Sequence, residues 1–439
     1  MKHYYLIIFF FIFACSFDNK TGIWEDENSI KEIKKKDDTF KGFKNLNSNK
    51  EVFNEIINPK KNFQFFSEPK ILNEWNDEFD YEKIINNFSF KEKNVKVYKG
   101  KKLSRSPLSK SLLYKNGNIF ASDQKGNLII YSVENNSILQ KFNFYKKKYK
   151  SLKKIINILI EGNTIFISDN IGYIYAYNYL EKKILWAKRN SVPFRSNLKI
   201  FNNYLISADQ NNNLIFFNKK NGEQIKKIPT EISKYNGKFV NYVNYKNENI
   251  YFLNTFGSLY SISKDLNINW FLNLNKAVET NANNIFYSNN VLVNNNEIYV
   301  LTNDQFYIIN GENGLILYKN NFSSKLSPVI YENYIFLLNE NNFLILMDRK
   351  NKEIIYSLDL NNRLKENILK KRFKFDPLKF KIVNNNLFIF LKDSNLLKLE
   401  LSGNLKEIVD INSKINSNIL FINNSIFFLN SRKKLIILD

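Results

Sequence analysis

The sequence predicts an all-β fold, an eight-bladed β-propeller with four-stranded antiparallel blades. A strand-turn-strand unit recurs in eight degenerate copies from about residue 107 to the C-terminus, and no helical pattern interrupts these copies. Successive turns are about 44 residues apart, which is the length of four short strands and their connections. Repeats of this length and composition are typical of propeller blades.

The first copy shows the repeated unit most clearly. Residues 118–131 read NIFASDQKGNLIIY, so two apolar strands flank a polar turn at Asp123, as in a β-hairpin. The equivalent turn positions in the eight copies are Asp123, Asp169, Asp209, Asn254, Asn303, Asn339, Lys392 and Asn430.

Prolines support the same register. A proline cannot donate a hydrogen bond to a sheet ladder, so it marks the point where a loop enters a strand. Four prolines precede apolar strands of the repeat: Pro107, Pro193, Pro328 and Pro377. Three of them lie at nearly the same distance before the turn of their copy.

The eighth copy lacks an outer strand, because the sequence reaches Asp439 just after the third strand, Lys434 to Leu438. The segment from Phe88 to Lys99 has a strand pattern and is the expected donor of the missing strand. Its addition would close the ring and cover an exposed sheet edge, giving a propeller domain over residues 88–439. The alternative is that this segment is only a linker.

The N-terminus predicts export. Residues 1–14 combine a charged start, an apolar run and a small residue, as in a signal peptide, and the apolar run is too short to span a bilayer. Cys15 directly after Ala14 resembles a bacterial lipobox, which implies cleavage before Cys15 and its lipidation. Ser16, rather than an acidic residue, follows the cysteine, and in the lipoproteins that this sequence resembles such a residue favours transport to the outer membrane. The alternative is an ordinary signal peptide with an incidental cysteine.

Two further segments precede the propeller. Residues 15–50 are polar and mixed in charge, which predicts a flexible, disordered tether behind the lipidated cysteine. Residues 51–87 have weak amphipathic character, which predicts an extension with helix turns packed on the propeller. The aromatic residues expected to pack there are Phe63, Phe65, Phe66 and Trp75.

The composition excludes several kinds of chemistry. Cys15 is the only cysteine and His3 the only histidine, so no Ser-His-Asp or Cys-His site, no zinc site of the usual kind and no covalent haem site can form. There is no glycine-rich phosphate-binding loop, and the carboxylates follow no repeated pattern suited to acid–base catalysis. We therefore predict no catalytic residue, no metal site and no cofactor.

The chain is strongly basic, with a formal net charge of +23. Clusters such as Lys146–Lys148 could attract nucleic acid, but an exported lipoprotein meets anionic lipid and cell-wall polymers instead. Lys, Asn, Ile and Phe are all abundant together, as codon bias in an AT-rich genome produces. We therefore interpret most of this charge as a solvated surface and predict no nucleic-acid partner.

Several copies carry the marks of a known repeat. Residues 204–217 read YLISADQNNNLIFF and lead to Asn221-Gly222-Glu223, and residues 181–186 read EKKILW. These features resemble the repeats of quinoprotein-type propellers, in which a tryptophan follows the glycine by four residues. That position reads Gln140, Trp186, Lys226, Trp270, Tyr318, Tyr356 and Glu407 here, so tryptophan docking is mostly replaced by other side chains. With the lipobox and tether, the chain resembles the BamB-like lipoproteins of outer-membrane protein assembly.

This resemblance implies a non-catalytic scaffold on the periplasmic face of the outer membrane. The implied partners are the periplasmic domains of a BamA-like barrel subunit and nascent outer-membrane proteins. The connection from Lys188 to Arg195 lies between the second and third blades, where such propellers can contact a partner, and Arg189 and Arg195 are the expected partner-binding residues.

Two alternatives remain open. The first is an enzyme dependent on pyrroloquinoline quinone, which would need a quinone held by calcium at the propeller axis. The second is a lipoprotein that binds peptidoglycan or another envelope polymer through its basic surface.

Overall fold

A computed structural model describes most of the chain from residue 95 onward and parts of the N-terminal region. The described residues are 16–17, 24–25, 53–59, 72–78, 85, 88–89, 95–145, 149–232, 241–275, 286, 288, 290–302, 305–324, 326–367 and 375–439. They belong to two units, Met1–Glu51 and Val52–Asp439. In the first unit, strands β1 (Ser16–Phe17) and β2 (Trp24–Glu25) pair antiparallel.

The second unit is an eight-bladed β-propeller of four-stranded antiparallel sheets, which confirms the predicted fold class. Its first strand is β3 (Val97–Lys102). Blade 1 contains β4 (Leu108–Lys115), β5 (Asn118–Asp123), β6 (Asn127–Ser132) and β7 (Ser137–Asn143), and blade 2 contains β8 (Ile156–Glu161), β9 (Thr164–Asp169), β10 (Tyr173–Asn178) and β11 (Lys183–Arg189). Blade 3 contains β12 (Lys199–Phe201), β13 (Tyr204–Ala208), β14 (Leu214–Asn218) and β15 (Gln224–Ile228), and blade 4 contains β16 (Tyr242–Lys246), β17 (Asn249–Leu253), β18 (Ser258–Ser263) and β19 (Ile268–Asn273).

The remaining blades follow the same order. Blade 5 contains β20 (Leu292–Asn294), β21 (Glu297–Leu301), β22 (Phe306–Asn310) and β23 (Ile316–Asn320), and blade 6 contains β24 (Val329–Tyr331), β25 (Tyr334–Leu338), β26 (Phe343–Asp348) and β27 (Ile354–Asp359), followed by helix α1 (Leu360–Asn367). Blade 7 contains β28 (Pro377–Val383), β29 (Asn386–Leu391), β30 (Asn395–Glu400) and β31 (Leu405–Asp410), and blade 8 contains β32 (Leu420–Ile422), β33 (Ser425–Leu429) and β34 (Lys434–Leu438) with β3 at its outer edge.

The first strand of each blade lies at the propeller axis. This placement follows from contacts between the first strands of neighbouring blades, such as β4 with β8, β12 with β16, and β32 with β4. Each blade is an antiparallel meander, so successive turns alternate between two faces of the disc. The connection face carries the turns between second and third strands and the connections between blades. The opposite face carries the other two sets of turns.

The eighth blade is completed from the N-terminal side of the repeats. Strand β3 pairs antiparallel with β34, with Val97 opposite Leu438 and Tyr98 opposite Ile437. The strand therefore begins at Val97, just after Lys96 exchanges two backbone hydrogen bonds with Asp439, rather than at the expected Phe88. Phe88 instead packs its ring 5.5 Å from that of Phe421, because the chain at that point still crosses the opposite face.

Acidic and amide side chains shape the turns between second and third strands. In blade 2, Asp169 Oδ1 accepts hydrogen bonds from Ile171 N (2.9 Å) and Tyr173 N (2.8 Å). Asp123, Asp209 and Asn254 accept two backbone hydrogen bonds each in the same way. A short side chain with an acceptor can cap such a turn and satisfy its backbone donors, which explains the repeated Asp or Asn.

An N-terminal strap crosses the opposite face of the propeller. We use this name for the described residues 72–78, 85 and 88–89. Trp75 exchanges two backbone hydrogen bonds with Tyr114 of blade 1, at 2.7 and 2.9 Å. Asp77 forms a bridge with Leu159 of blade 2 and an ion pair of 2.6 Å with Lys199 of blade 3. The strap thus joins the inner strands of three blades.

The strap also reaches blades 7 and 8. The Leu72 carbonyl accepts a hydrogen bond from Asn423 N (3.3 Å), and the Ile85 carbonyl accepts one from Asn384 N (3.0 Å). Leu72, Ile85 and Phe88 are buried in the same hydrophobic core as blades 8, 1 and 2. The strap is therefore part of the folded propeller.

The extension over residues 51–87 is described at residues 53–59, 72–78 and 85. These residues form isolated β-bridges, such as Ile57 with Ser357, and a turn residue at Glu78. The expected helix turns stay a prediction for the rest of the segment, which lies outside the described residues. Trp75 packs as predicted and is 1% exposed. Phe63, Phe65 and Phe66 lie outside the described residues. In the part of the chain that the structure describes, no helix has the length and apolar character to cross a membrane.

An ion-pair network links blades 5 and 6. Glu297 on β21 pairs with Arg349 at 2.7 Å and with Lys352, and it accepts a hydrogen bond of 2.5 Å from Tyr299 Oη. Burial of the Glu297 carboxyl opposes its ionisation, but the hydrogen bonds from Lys352, Tyr299 and Arg349 outweigh burial and hold its pKa below the ordinary value of 4.5. The ionised carboxylate therefore stabilises the contact between the two blades.

We expect Glu297→Gln to lower the free energy of unfolding by about 2 kcal/mol at neutral pH, because charge-assisted hydrogen bonds are lost. Since the pKa of Glu297 is lower in the folded than in the unfolded protein, its contribution is present above the unfolded pKa and is lost as pH falls through the folded pKa. Urea denaturation at several pH values should show the difference between variant and parent shrinking below about pH 4.5. The exposed Glu353→Gln is the control, and a difference that does not depend on pH would contradict this account.

Candidate protein-binding groove between blades 2 and 3

The connection between blades 2 and 3 is anchored by the turns that it passes. Asn190 N donates to the Gly172 carbonyl (2.7 Å), and Phe194 N donates to the Asp169 carbonyl (3.1 Å). Phe194 is 2% exposed and its ring lies 6.0 Å from that of Phe217 on β14. These contacts fix the path of the backbone on both sides of Pro193, so the side chains along it are held in place.

Arg189 is exposed at the end of β11, on the outer strand of blade 2. Its guanidinium carbon lies 5.7 Å from the centre of the Tyr173 ring, which belongs to the neighbouring strand β10. A cation held over an aromatic face is attracted to the ring and loses conformational freedom. Because a guanidinium can bind a carboxylate through two parallel hydrogen bonds, this arrangement suits recognition of an acidic side chain.

Arg189 also lines a surface groove of about 460 Å³ between blades 2 and 3. We call it the blade 2–3 groove, and its lining residues are Lys188, Arg189, Asn190, Phe217, Gly222, Glu223, Gln224 and Ile225. Phe217 is buried at 4% exposure, whereas Ile225 is 49% exposed. The groove therefore combines an apolar base, an exposed apolar side chain, two cations and the Glu223 carboxylate, which suits a protein segment more than a small polar metabolite.

Trp186 fixes the two walls of this groove relative to each other. The indole lies on β11 of blade 2 and packs on Gly222 of blade 3, where a Cβ atom would lie 2.5 Å from Trp186 Cε3. Trp186 Nε1 donates a 3.0 Å hydrogen bond to the Lys219 carbonyl. Trp270 packs near Gly314 in the same way between blades 4 and 5. Trp186 and Trp270, the two tryptophans at the repeat position, thus both pack on a glycine of the next blade.

Arg195 does not line the blade 2–3 groove. It is half-buried near the axis, and its Nη2 donates a 3.0 Å hydrogen bond to Gln210 Oε1 of the next turn. Its backbone N donates to the Ala208 carbonyl (2.9 Å), and its carbonyl accepts from Asn241 N (3.2 Å). The connection runs from the outer strand of one blade to the inner strand of the next. The two predicted arginines therefore lie at its opposite ends and have different neighbours.

Cys15, the predicted lipidation site, lies outside the described residues, as do the signal segment 1–14 and all of the tether 15–50 except residues 16–17 and 24–25. Tyr173, Phe217 and Ile225 were missed by the sequence reasoning. The pairing of Tyr173 with Arg189 across two adjacent strands could have been found from the repeat register. Ile225 and Arg189 line the same groove from two different blades, and this arrangement has no local sequence signal.

The propeller axis is the place where a quinone cofactor would have to bind. A cavity of about 270 Å³ lies there, and its polar lining includes Tyr242, Asn290, Lys379 and Lys381. Burial lowers the pKa of Lys379 to about 8, while the nearby Glu78 carboxylate raises it. Calcium prefers carboxylate and carbonyl oxygens, whereas Lys379 and Lys381 place two ammonium groups in this lining, and the nearby Glu78 carboxyl interacts with Lys379. These residues do not fit a quinone held by calcium.

Glu78 of the strap lies close to this cavity. Burial raises the pKa of its carboxyl, against a hydrogen bond with Ser111 and the charge of Lys379, both of which lower it. Among the described residues, no three His, Cys, Asp or Glu side chains are grouped so that they could hold a metal ion. The strap thus brings its own carboxyl group close to the axis, within electrostatic range of Lys379.

Comparisons with known proteins agree with this architecture. A family model described as outer membrane protein assembly factor BamB matches residues 95–358. The crystal structure of BamB from Moraxella catarrhalis is similar, with a TM-score of 0.58 and 11% sequence identity over 75% of this chain and 96% of that one. A crystal structure of the computationally designed Ika8 protein has a TM-score of 0.56 and 9% identity, over 77% of this chain and 99% of that one. No curated protein sequence matches.

Proposed function

Because the chain belongs to the outer membrane protein assembly factor BamB family, we propose that it is a non-catalytic scaffold subunit of the machinery that assembles outer-membrane β-barrels. Two observations support a scaffold. The axis is lined by lysines and approached by the strap carboxylate, and the blade 2–3 groove has the mixed apolar and cationic lining of a protein-binding surface.

The partner that we propose for the groove is the periplasmic part of a BamA-like barrel subunit. The observation that carries this assignment is Arg189, an exposed guanidinium held over Tyr173 in a groove that the exposed Ile225 also lines. An arginine with restricted motion next to an apolar side chain is a common centre of a protein interface. The partner segment would supply a carboxylate for Arg189 and an apolar side chain for the groove.

The proposed location is the periplasmic face of the outer membrane. Lipidation of Cys15 would supply the anchor, and residues 15–50 would supply the tether between anchor and propeller. A single lipid chain gives only weak membrane binding, and stable anchoring needs more than one chain or signal. An N-terminal cysteine that carries several acyl chains meets this requirement. The scaffold would then hold nascent outer-membrane proteins close to the barrel subunit.

We expect Arg189→Glu to weaken binding of the full chain to the purified periplasmic domains of a BamA-like subunit by about 30-fold or more, because truncating or reversing a charge at an interface typically costs 2–5 kcal/mol. Arg432→Glu, at an exposed site in a turn of blade 8 on the same face, makes the same charge change away from the groove. It should leave the affinity nearly unchanged.

Surface plasmon resonance with the immobilised full-length chain measures both variants. Equal weakening by Arg189→Glu and Arg432→Glu would mean that only the general positive charge attracts the partner. If the Arg189→Glu variant binds the partner as tightly as the parent, the groove is not part of the interface and the contact lies elsewhere on the protein.

A further inference from the structure

The loop that connects blades 1 and 2 carries a second exposed surface on the connection face. Lys150, Leu152, Lys153 and Ile155 are all exposed, and the two apolar side chains keep 50% and 51% of their surface accessible. We call these four residues the blade 1–2 surface. Exposed single apolar residues are ordinary, but two of them between lysines on one short loop form a mixed patch that resembles part of a protein interface.

The loop is fixed by contacts between Lys154 and the residues on which the loop packs. Lys154 is only 2% exposed, its ammonium group donates to the Tyr149 carbonyl, and it lies 5.1 Å from the centre of the Tyr145 ring. The Lys154 backbone N donates to the Gln124 carbonyl (3.0 Å). One lysine of the loop is therefore directed inwards, while its neighbours on both sides are exposed.

Asn170, in the adjacent turn of blade 2, clamps the end of the loop. Its Nδ2 donates to the Lys153 carbonyl (3.1 Å), and its Oδ1 accepts from Ile155 N (2.8 Å). Asn170 N also donates to the Ile155 carbonyl (3.2 Å). Because these three bonds fix the backbone at Lys153 and Ile155, a partner would bind with little loss of loop entropy.

The carboxylates near the loop are not available to neutralise it. Asp169 and Asp123 are 0% and 3% exposed. Asp169 accepts hydrogen bonds from its own turn and a 2.7 Å bond from Tyr145 Oη, and Asp123 accepts bonds from its own turn. The exposed charges of the blade 1–2 surface are therefore both positive, and they are complementary to an acidic partner.

The blade 1–2 surface continues towards Arg189. Tyr149 Oη and Tyr173 Oη are 3.0 Å apart, and Arg189 lies over the Tyr173 ring. Tyrosine and arginine side chains are enriched in protein interfaces, where their rings bury area at low entropic cost. A row of basic, aromatic and apolar groups thus extends from blade 1 to the end of blade 2.

We propose that the blade 1–2 surface docks an acidic protein segment that carries apolar side chains next to its carboxylates. Lys150 and Lys153 bind the carboxylates, and Leu152 and Ile155 bury the apolar groups. A protein is favoured over an anionic membrane because the display of Leu152 and Ile155 is fixed by the Asn170 clamp, and fixed shape contributes to affinity for a matching protein but not for fluid lipid. This surface adjoins the blade 2–3 groove proposed for the barrel subunit but shares no residue with it.

The test measures binding of the full-length chain to three soluble synthetic peptides flanked by Gly and Ser, using fluorescence anisotropy. The first peptide alternates Glu and Leu, the second alternates Glu and Ser, and the third alternates Lys and Leu. We expect the Glu–Leu peptide to bind at least about tenfold more tightly than either of the others, since only it supplies both charge and apolar surface.

Two double variants locate the site. Lys150→Gln/Lys153→Gln and Leu152→Ser/Ile155→Ser should each weaken binding of the Glu–Leu peptide by about tenfold, and only the first should lower the salt dependence of binding. All four side chains are exposed, so both variants should keep the urea midpoint of the parent. Arg432→Gln is the charge control on the same face.

Each other result overturns the proposal. Equal binding of the Glu–Leu and Glu–Ser peptides would mean that the surface attracts acidic peptides by charge alone and does not recognise apolar side chains. Binding that survives both double variants would place the site elsewhere. Binding of vesicles containing phosphatidylglycerol, lost in the lysine variant while no peptide binds, would assign the surface to lipid. Arg189 is intact in both double variants. The affinity of these variants for the barrel subunit is therefore measured separately, and it tests the proposed function independently of this docking proposal.

Discussion

Replacing Trp75 with alanine is expected to lower the free energy of unfolding by about 3–5 kcal/mol, the usual result for truncating a fully buried tryptophan. Trp75 is 1% exposed and belongs to the hydrophobic core shared by blades 8, 1 and 2. Its backbone bonds to Tyr114 would remain, but the indole volume would be lost at the point where the ring of blades closes. The urea midpoint measures the loss.

The control for Trp75 is Ile56→Ala, which truncates a side chain that is 57% exposed and should change stability by less than about 0.5 kcal/mol. Limited proteolysis should also cut the Trp75 variant faster within residues 72–89, because release of the strap exposes its backbone. A Trp75 variant as stable as the Ile56 variant would mean that the strap adds nothing to the folded propeller.

Gly222→Ala is expected to destabilise the propeller by about 2–5 kcal/mol, for two reasons that add. The backbone of Gly222 has a φ of +72°, a left-handed conformation that costs a residue with a Cβ about 1–2 kcal/mol. The new Cβ would also lie 2.5 Å from Trp186 Cε3, so the indole that fixes the blade 2–3 groove must move.

Gly162→Ala separates these two contributions. Gly162 also has a positive φ, +56°, but a Cβ there would have no neighbour within 4 Å, so only the backbone penalty of about 1–2 kcal/mol is expected. In the background of Trp186→Ala, the cost of Gly222→Ala should fall towards the same value, because the clash is gone. If Gly222→Ala costs no more than Gly162→Ala, the docking of Trp186 does not hold the two blades together.

Much of the fold could be predicted from the sequence because it depends on local patterns. The hairpins were visible as apolar strands around Asp or Asn, and the structure shows why, since Asp123, Asp169 and Asp209 cap the turns with their own carboxylates. The repeat pattern also predicted docking tryptophans at Trp186 and Trp270, and both indole nitrogens donate a hydrogen bond to a backbone carbonyl of the next blade.

Contacts between distant parts of the chain could not be predicted. Trp75 was expected to pack on the propeller, but its extended pairing with Tyr114 joins two segments that are distant in the sequence and leaves no local sequence signal. The same reason applies to Glu78 near Lys379 and to Ile225, which lines the same groove as Arg189. Arg189 and Arg195 were both expected to bind a partner because they lie on one connection, and that connection runs from the outer strand of one blade to the inner strand of the next, so the two side chains have different neighbours.

The most direct test of the central claim is affinity purification of the lipidated full-length protein from detergent-solubilised envelopes, followed by mass spectrometry of the co-purifying chains. We predict that a BamA-like barrel subunit is recovered in stoichiometric amount and is depleted when Arg189 is replaced by glutamate but not when Arg432 is. Absence of that subunit, with enrichment of peptidoglycan or another envelope component whose binding salt weakens, would contradict the assembly role and assign the propeller to that component.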